Sequence, residues 1–186
     1  MQSPSAPSET VRTTASNSYP GSSSAGNPSI DPRAGKYLIF QLGKEEFGAG
    51  VLKIREIMKM QEITSVPQTP AFVRGVINLR GRVIPVIDLR TKFGLSQQEN
   101  TDRTCIVVVR TQSSEGELPM GIVVDGVVEV LTLADGDIED TPDFGEGTST
   151  PYLLGMAKAK GKVRILLDMD EVLSRQELQS LNALLQ

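Results

Sequence analysis

Gly75-Val76-Ile77-Asn78-Leu79-Arg80-Gly81-Arg82-Val83-Ile84-Pro85-Val86-Ile87-Asp88 sets two runs rich in β-branched residues on either side of Asn78-Leu79-Arg80-Gly81, and it reads as a β-hairpin. Gly81 supplies the positive φ that a tight turn requires. Arg80 then stands at the tip, in water, where charge blunts a strand edge or anchors a protein partner. The same text returns near the end of the chain. Gly75, Gly81, Val83 and Asp88 match Gly155, Gly161, Val163 and Asp168, each pair 80 residues apart. Upstream, Gly48, Val51, Ile54, Glu56 and Ile57 match Gly121, Val124, Val127, Glu129 and Val130 at a spacing of 73. Thr69-Pro70-Ala71-Phe72 and Thr141-Pro142-Asp143-Phe144 lie between these blocks, 72 apart. Three blocks recurring in one order make an internal duplication, which implies two similar small barrels packed together.

Working outward, Tyr37 to Phe40, Phe72-Val73, Cys105 to Val109, Gly121 to Val124 and Val163 to Leu167 are further short apolar runs. No long amphipathic helix separates them, so they predict an all-β barrel or sandwich rather than a parallel sheet. Ser174 and Glu177 form a capping box ahead of Leu178, Leu181, Leu184 and Leu185, which predicts one C-terminal helix. Val51, Ile54 and Ile57, three apart, predict a shorter helix over about 50 to 58. The polar stretch from Thr111 to Pro119 reads as an extended loop. Residues 1–34, rich in Ser, Thr, Pro and Gly, read as a disordered tail, and 35–186 as the folded domain. Deleting residues 1–33 is therefore expected to leave the melting temperature nearly unchanged.

Chemistry is bounded by what the chain lacks. It has no His and one Cys, which removes imidazole catalysis, His-ligated metals and internal disulfides. A net charge of −4 disfavours a general nucleic-acid binder, which needs a basic face. Cys105, inside an apolar run, reads as buried and inert. No cofactor, metal or catalytic residue is predicted. Asp88 and Asp168, equivalent by the duplication, leave open a carboxylate-dependent enzyme or a ligand-binding barrel; each also closes a strand where a turn or cap needs an acceptor. Glu129 reads as a solvated residue, and Glu56 shares that reading. No run of about 20 apolar residues is present, so no membrane insertion and a cytoplasmic location are expected.

Phe47-Gly48, Val51 to Ile57, Thr69-Pro70-Ala71-Phe72, Gly75 to Gly81, Val83 to Arg90 and Gly121 to Val127 together resemble the CheW-type chemotaxis coupling proteins. The resemblance runs from about residue 36 to the C-terminal helix. It implies two five-stranded SH3-like barrels around a shared apolar core. It implies a non-catalytic adaptor, recruited to membrane receptor arrays, that bridges methyl-accepting chemoreceptors to the histidine kinase CheA on separate surfaces. Carried over residue by residue, it puts Val51, Ile54, Glu56, Gly75 and Arg80 at the receptor-binding surface. Phe144 is the candidate kinase contact, with a barrel plug as the competing reading.

Overall fold

Residues Tyr37 to Phe40 are apolar at every position because both faces of their strand are covered. Tyr37 and Ile39 point into one small core, whereas Leu38, Phe40 and Leu42 point into a second, larger one. A strand buried on both faces loses the alternation of a half-exposed one. The computed structural model describes residues 30–143, 145 and 150–186. Phe144 lies outside them.

Among the described residues the chain runs β1 (Gly35–Leu42), β2 (Glu45–Gly50), β3 (Ile54–Lys59), β4 (Val73–Leu79), β5 (Arg82–Asp88), α1 (Leu89–Lys92), β6 (Cys105–Ser113), β7 (Gly116–Val124), β8 (Gly126–Leu133), β9 (Ile138–Glu139), β10 (Leu153–Ala159), β11 (Lys162–Leu167) and α2 (Arg175–Leu185). One sheet has the order β8-β1-β2-β11-β10-β9 and the other β3-β6-β7-β5-β4. The fold is therefore all-β with a C-terminal helix, as expected. Two segments correct the expectation. The helix over 50 to 58 is a single 3-10 turn, Val51–Lys53, running straight into β3. The loop over 111 to 119 is the far end of the β6–β7 hairpin, paired out to Ser113 and Gly116.

The duplication is also one of register. Leu166 pairs with Gly48 in one sheet and Val86 with Gly121 in the other, at the same spacings of 80 and 73 that the sequence shows. The sheets, however, exchange their first hairpins. β1 and β2 join the strands of the second repeat, while β6 and β7 join those of the first. The extra strand β9 has its counterpart in an isolated bridge between Thr64 and Val76, so the six and five strands describe one architecture.

Each sheet encloses its own core, Ile39, Leu131, Leu133 and Leu166 in the first and Ile77, Ile84, Ile106 and Val123 in the second. Between the sheets lies the shared core, where Phe40, Phe47, Val107, Met120 and Ile122 meet Leu178 and Leu181 of α2. Ser174 and Glu177 form the capping box, with the Ser174 hydroxyl accepting from the Glu177 amide and the Glu177 carboxylate accepting from the Ser174 amide. Lys92 adds an ion pair to Glu177 and lies 4.6 Å from the centre of the Phe72 ring.

Candidate functional site

The hairpin β4–β5 turns in two residues. Arg80 has φ 52° and Gly81 φ 84°, both in the left-handed region that a type I′ turn demands. The Gly81 amide donates to Asn78 Oδ1 at 2.8 Å, which closes the turn and accounts for asparagine at that position. Arg80 is thereby aimed across the open side of its sheet. Its two terminal nitrogens donate to Glu56 on β3, Nη1 to Oε1 at 3.1 Å and Nη2 to Oε2 at 2.8 Å. β3 and β4 are opposite ends of the strand order, so this forked pair spans the gap between sheet edges. The Arg80 side chain is 75% exposed and the Glu56 side chain 22%. Water screens such a pair, so it orients the guanidinium more than it stabilises the fold.

Beside the pair runs the segment before and within β3. Ile54, Glu56 and Met58 face inward to varying depth, while Arg55, Ile57 and Lys59 face solvent. Val51 is half-buried in the 3-10 turn, and Ile54 packs against the shared core. Leu52, which the sequence did not single out, is 86% exposed, and its carbonyl accepts from Arg110 at 2.8 Å. Gly75 belongs to the interior. It has φ 139°, and a Cβ there would sit 2.1 Å from the Thr64 carbonyl oxygen. The segment after β3 crosses over this residue, so the absence of a side chain serves the fold directly. The structure thus joins Glu56 to Arg80, sets Val51 and Ile54 at the start of the Glu56 strand, and buries Gly75 on β4 under Thr64.

The carboxylates have separate fates. Asp88 is fully buried. It caps α1 through the Arg90 amide at 2.9 Å and binds the Arg90 side chain at 3.0 and 3.1 Å and Arg74 at 3.2 Å. Burial pushes its carboxyl up, but the hydrogen bonds and charge of Arg90, with Arg74, outweigh this and hold it below the usual carboxylate range. Arg90 continues to Asp125 at 2.7 Å, whose other oxygen accepts from the Gly43 amide at 2.6 Å. This network ties the end of β5 to the β1–β2 turn of the other sheet. Asp168 accepts from the Asp170 amide at 3.0 Å and has an aspartate where Asp88 has Arg90. Glu129, expected to be solvated, is 29% exposed and pairs with Lys160 and Arg164. The Glu129–Lys160 pair is the second repeat's copy of Glu56–Arg80, with Lys160 at the same φ of 52°. Cys105, expected to be buried, is half-buried against the shared core, and that burial raises its thiol.

No helix among the described residues is long and apolar enough to cross a membrane. Residues 36–177 match the family model of the CheW-like domain. The chain is 41% identical over 146 residues to the chemotaxis protein CheW of Klebsiella aerogenes, covering 77% of this chain and 84% of the relative. Protein FrzA of Myxococcus xanthus is 29% identical over 126 residues, 68% of this chain and 76% of the relative. The crystal structure of the scaffolding protein TtCheW from Thermoanaerobacter tengcongensis superposes with a TM-score of 0.67 at 31% identity, covering 77% of this chain and 97% of that one. On the family model, the curated relatives and the solved structure together, the chain belongs to the CheW-like family.

Proposed function

We propose that this chain is a non-catalytic chemotaxis adaptor that joins methyl-accepting chemoreceptors to the histidine kinase CheA. The observation that carries the reading is the exposed, forked Arg80–Glu56 pair set beside Val51, Leu52 and Ile54. A receptor tip of helical form fits such a surface: apolar side chains take its ridge, while one cation and one anion fix its direction. The kinase binds on another surface, so that the two partners are held together. Each contact is modest, at or below about 1,200 Å², and gains strength when many copies share an array. Against the alternative, a carboxylate-dependent enzyme or ligand-binding barrel on Asp88 or Asp168, Asp88 is buried and neutralised by arginines and Asp168 accepts from the Asp170 amide.

The test is receptor and kinase affinity of Arg80→Ala, measured side by side on folded protein. Receptor binding is expected to weaken by about 2 kcal/mol, with kinase binding retained. Unchanged receptor affinity removes Arg80 from the site. Mixing the protein with receptor and kinase is expected to change kinase autophosphorylation.

A further inference from the structure

Next to Arg80 the second sheet opens into a wedge. The parallel pairing of β5 with β7 starts at Val86 and Gly121, and upstream the two strands part. Pro85 and Pro119 stand at the mouth, and neither has the N–H that would continue a ladder. A small cleft there is lined by Arg55, Leu79, Arg80, Arg82, Ile84 and Pro119. It continues past Arg82 into a shallower depression floored by Val83, Leu118 and Leu185, where Val83 is 54% exposed.

The duplication shows what this wedge lacks. In the other sheet the positions equivalent to Arg82, Ile84 and Pro119 are Lys162, Arg164 and Glu46, at the repeat spacings of 80 and 73. There Glu46 accepts from Lys162 at 2.9 Å and from Arg164 at 2.8 Å, and the wedge is filled from within. The Lys162 hydrogen bond and the Arg164 charge overcome partial burial and hold the Glu46 carboxyl below its usual range. In the second sheet the carboxylate position is Pro119. Arg82 and Arg55 consequently have no carboxylate within ion-pair distance among the described residues, and the one carboxylate beside the cleft, Glu56, pairs with Arg80.

We propose that this wedge receives an acidic side chain from the docked receptor helix, in the place that Glu46 holds in the other sheet. The inference rests on the receptor-docking reading and adds the chemistry of the partner: an amphipathic helix with a carboxylate aimed at Arg82 and Arg55 and an apolar side chain over Val83. A cationic cleft in a chain of net charge −4 also selects for that orientation, because a helix docked with its acid elsewhere leaves the guanidinium groups unanswered.

The experiment measures binding of a purified chemoreceptor signalling-tip fragment to full-length protein carrying Arg82→Glu, Pro119→Glu, Arg80→Ala or the remote control Lys44→Glu. Pro119→Glu places a carboxylate beside Arg82 within the chain and is expected to block the wedge. Arg82→Glu and Pro119→Glu are each expected to weaken receptor binding about tenfold, with a shallower dependence on salt and with kinase affinity unchanged. Lys44→Glu binds as the parent protein does. Exchanging the responsible acid of the receptor tip for lysine is expected to restore binding to Arg82→Glu. Should Pro119→Glu fail to fold, Arg82→Glu and its rescue decide alone. Parent-like receptor binding by Arg82→Glu, alongside loss in Arg80→Ala, overturns the wedge and leaves the docking reading intact. Parent-like binding by all the variants overturns both, and loss of kinase in place of receptor assigns the wedge to the wrong partner.

Discussion

Arg80 and Lys160 occupy equivalent turns at φ 52°, a conformation that L-residues with a Cβ adopt at a cost of about 1–2 kcal/mol. Glycine removes that cost, so a side chain kept at both sites points to its charged end rather than to the turn. Arg80→Gly gives up an exposed ion pair worth at most about 1 kcal/mol but relieves the strain; Arg80→Ala gives up the pair and keeps it. Denaturant unfolding is expected to place Arg80→Gly about 1 kcal/mol above Arg80→Ala, while both lose receptor affinity alike. Equal stabilities would mean that the turn carries no strain. Gly75 behaves oppositely. Gly75→Ala forces a methyl onto the Thr64 carbonyl and is expected to cost more than about 2 kcal/mol, so lost binding in that variant reports the fold. Part of this is legible in the text. A hairpin whose strands end at Leu79 and resume at Arg82 has two turn residues, and the type I′ geometry then requires positive φ at both. The crossing of Thr64 over Gly75 is not, because nothing local marks which segment will approach a glycine.

Elements are legible where their period is undisturbed and obscure where a bulge or an inward polar residue breaks it. Val51, Ile54 and Ile57 mimic a helical face because a bulge after Ile54 breaks the alternation of β3: Ile54 packs with the shared core, Met58 with the second sheet's own core, and Ile57 is left 47% exposed. Glu56, the first residue past that bulge to pair with β6, is the one that meets Arg80. The polar end of the β6–β7 hairpin resembles a loop in sequence for a related reason: it extends past the core, so its outer positions bury little. Helix α2 carried plain signals, and its contribution follows from them. Leu181 is 1% exposed within the shared core, and Leu181→Ala is expected to cost about 2–5 kcal/mol. Loss of the cap in Ser174→Ala is expected to cost about 1 kcal/mol. At the other end, the composition places Arg33 in the tail, yet Arg33 binds Asp31 and Asp140 and donates to the Leu154 carbonyl, while the Tyr37 hydroxyl donates to the Arg33 carbonyl. A chain starting at Ala34 is therefore expected to melt below one starting at Ile30, a comparison that calorimetry makes directly.

At the scale of the whole molecule, the duplication was legible but the exchange of hairpins between sheets was not, since either pairing buries the same apolar faces. The exchange makes the chain cross between sheets at Asp125, and there the Arg90 network holds the two halves in register. A buried arginine between two carboxylates is costly to break, because removing it strands the charge of Asp88 out of water. Arg90→Met is expected to lose about 3–5 kcal/mol, and adding Asp88→Asn to return part of it. Acid tests the same device without changing its size. The folded Asp88 carboxyl binds its proton less readily than the ordinary value of 3.8. Its contribution is therefore complete above about pH 5 and drains as pH falls through the ordinary value towards the lower folded one. Asp88→Asn lacks that titration. The stability gap between parent and Asp88→Asn, followed by urea unfolding, is expected to be widest near neutrality and to narrow as the medium is acidified. A gap that stays constant into strong acid would mean that Asp88 binds protons equally in both states, and that the arginines beside it do not hold its charge.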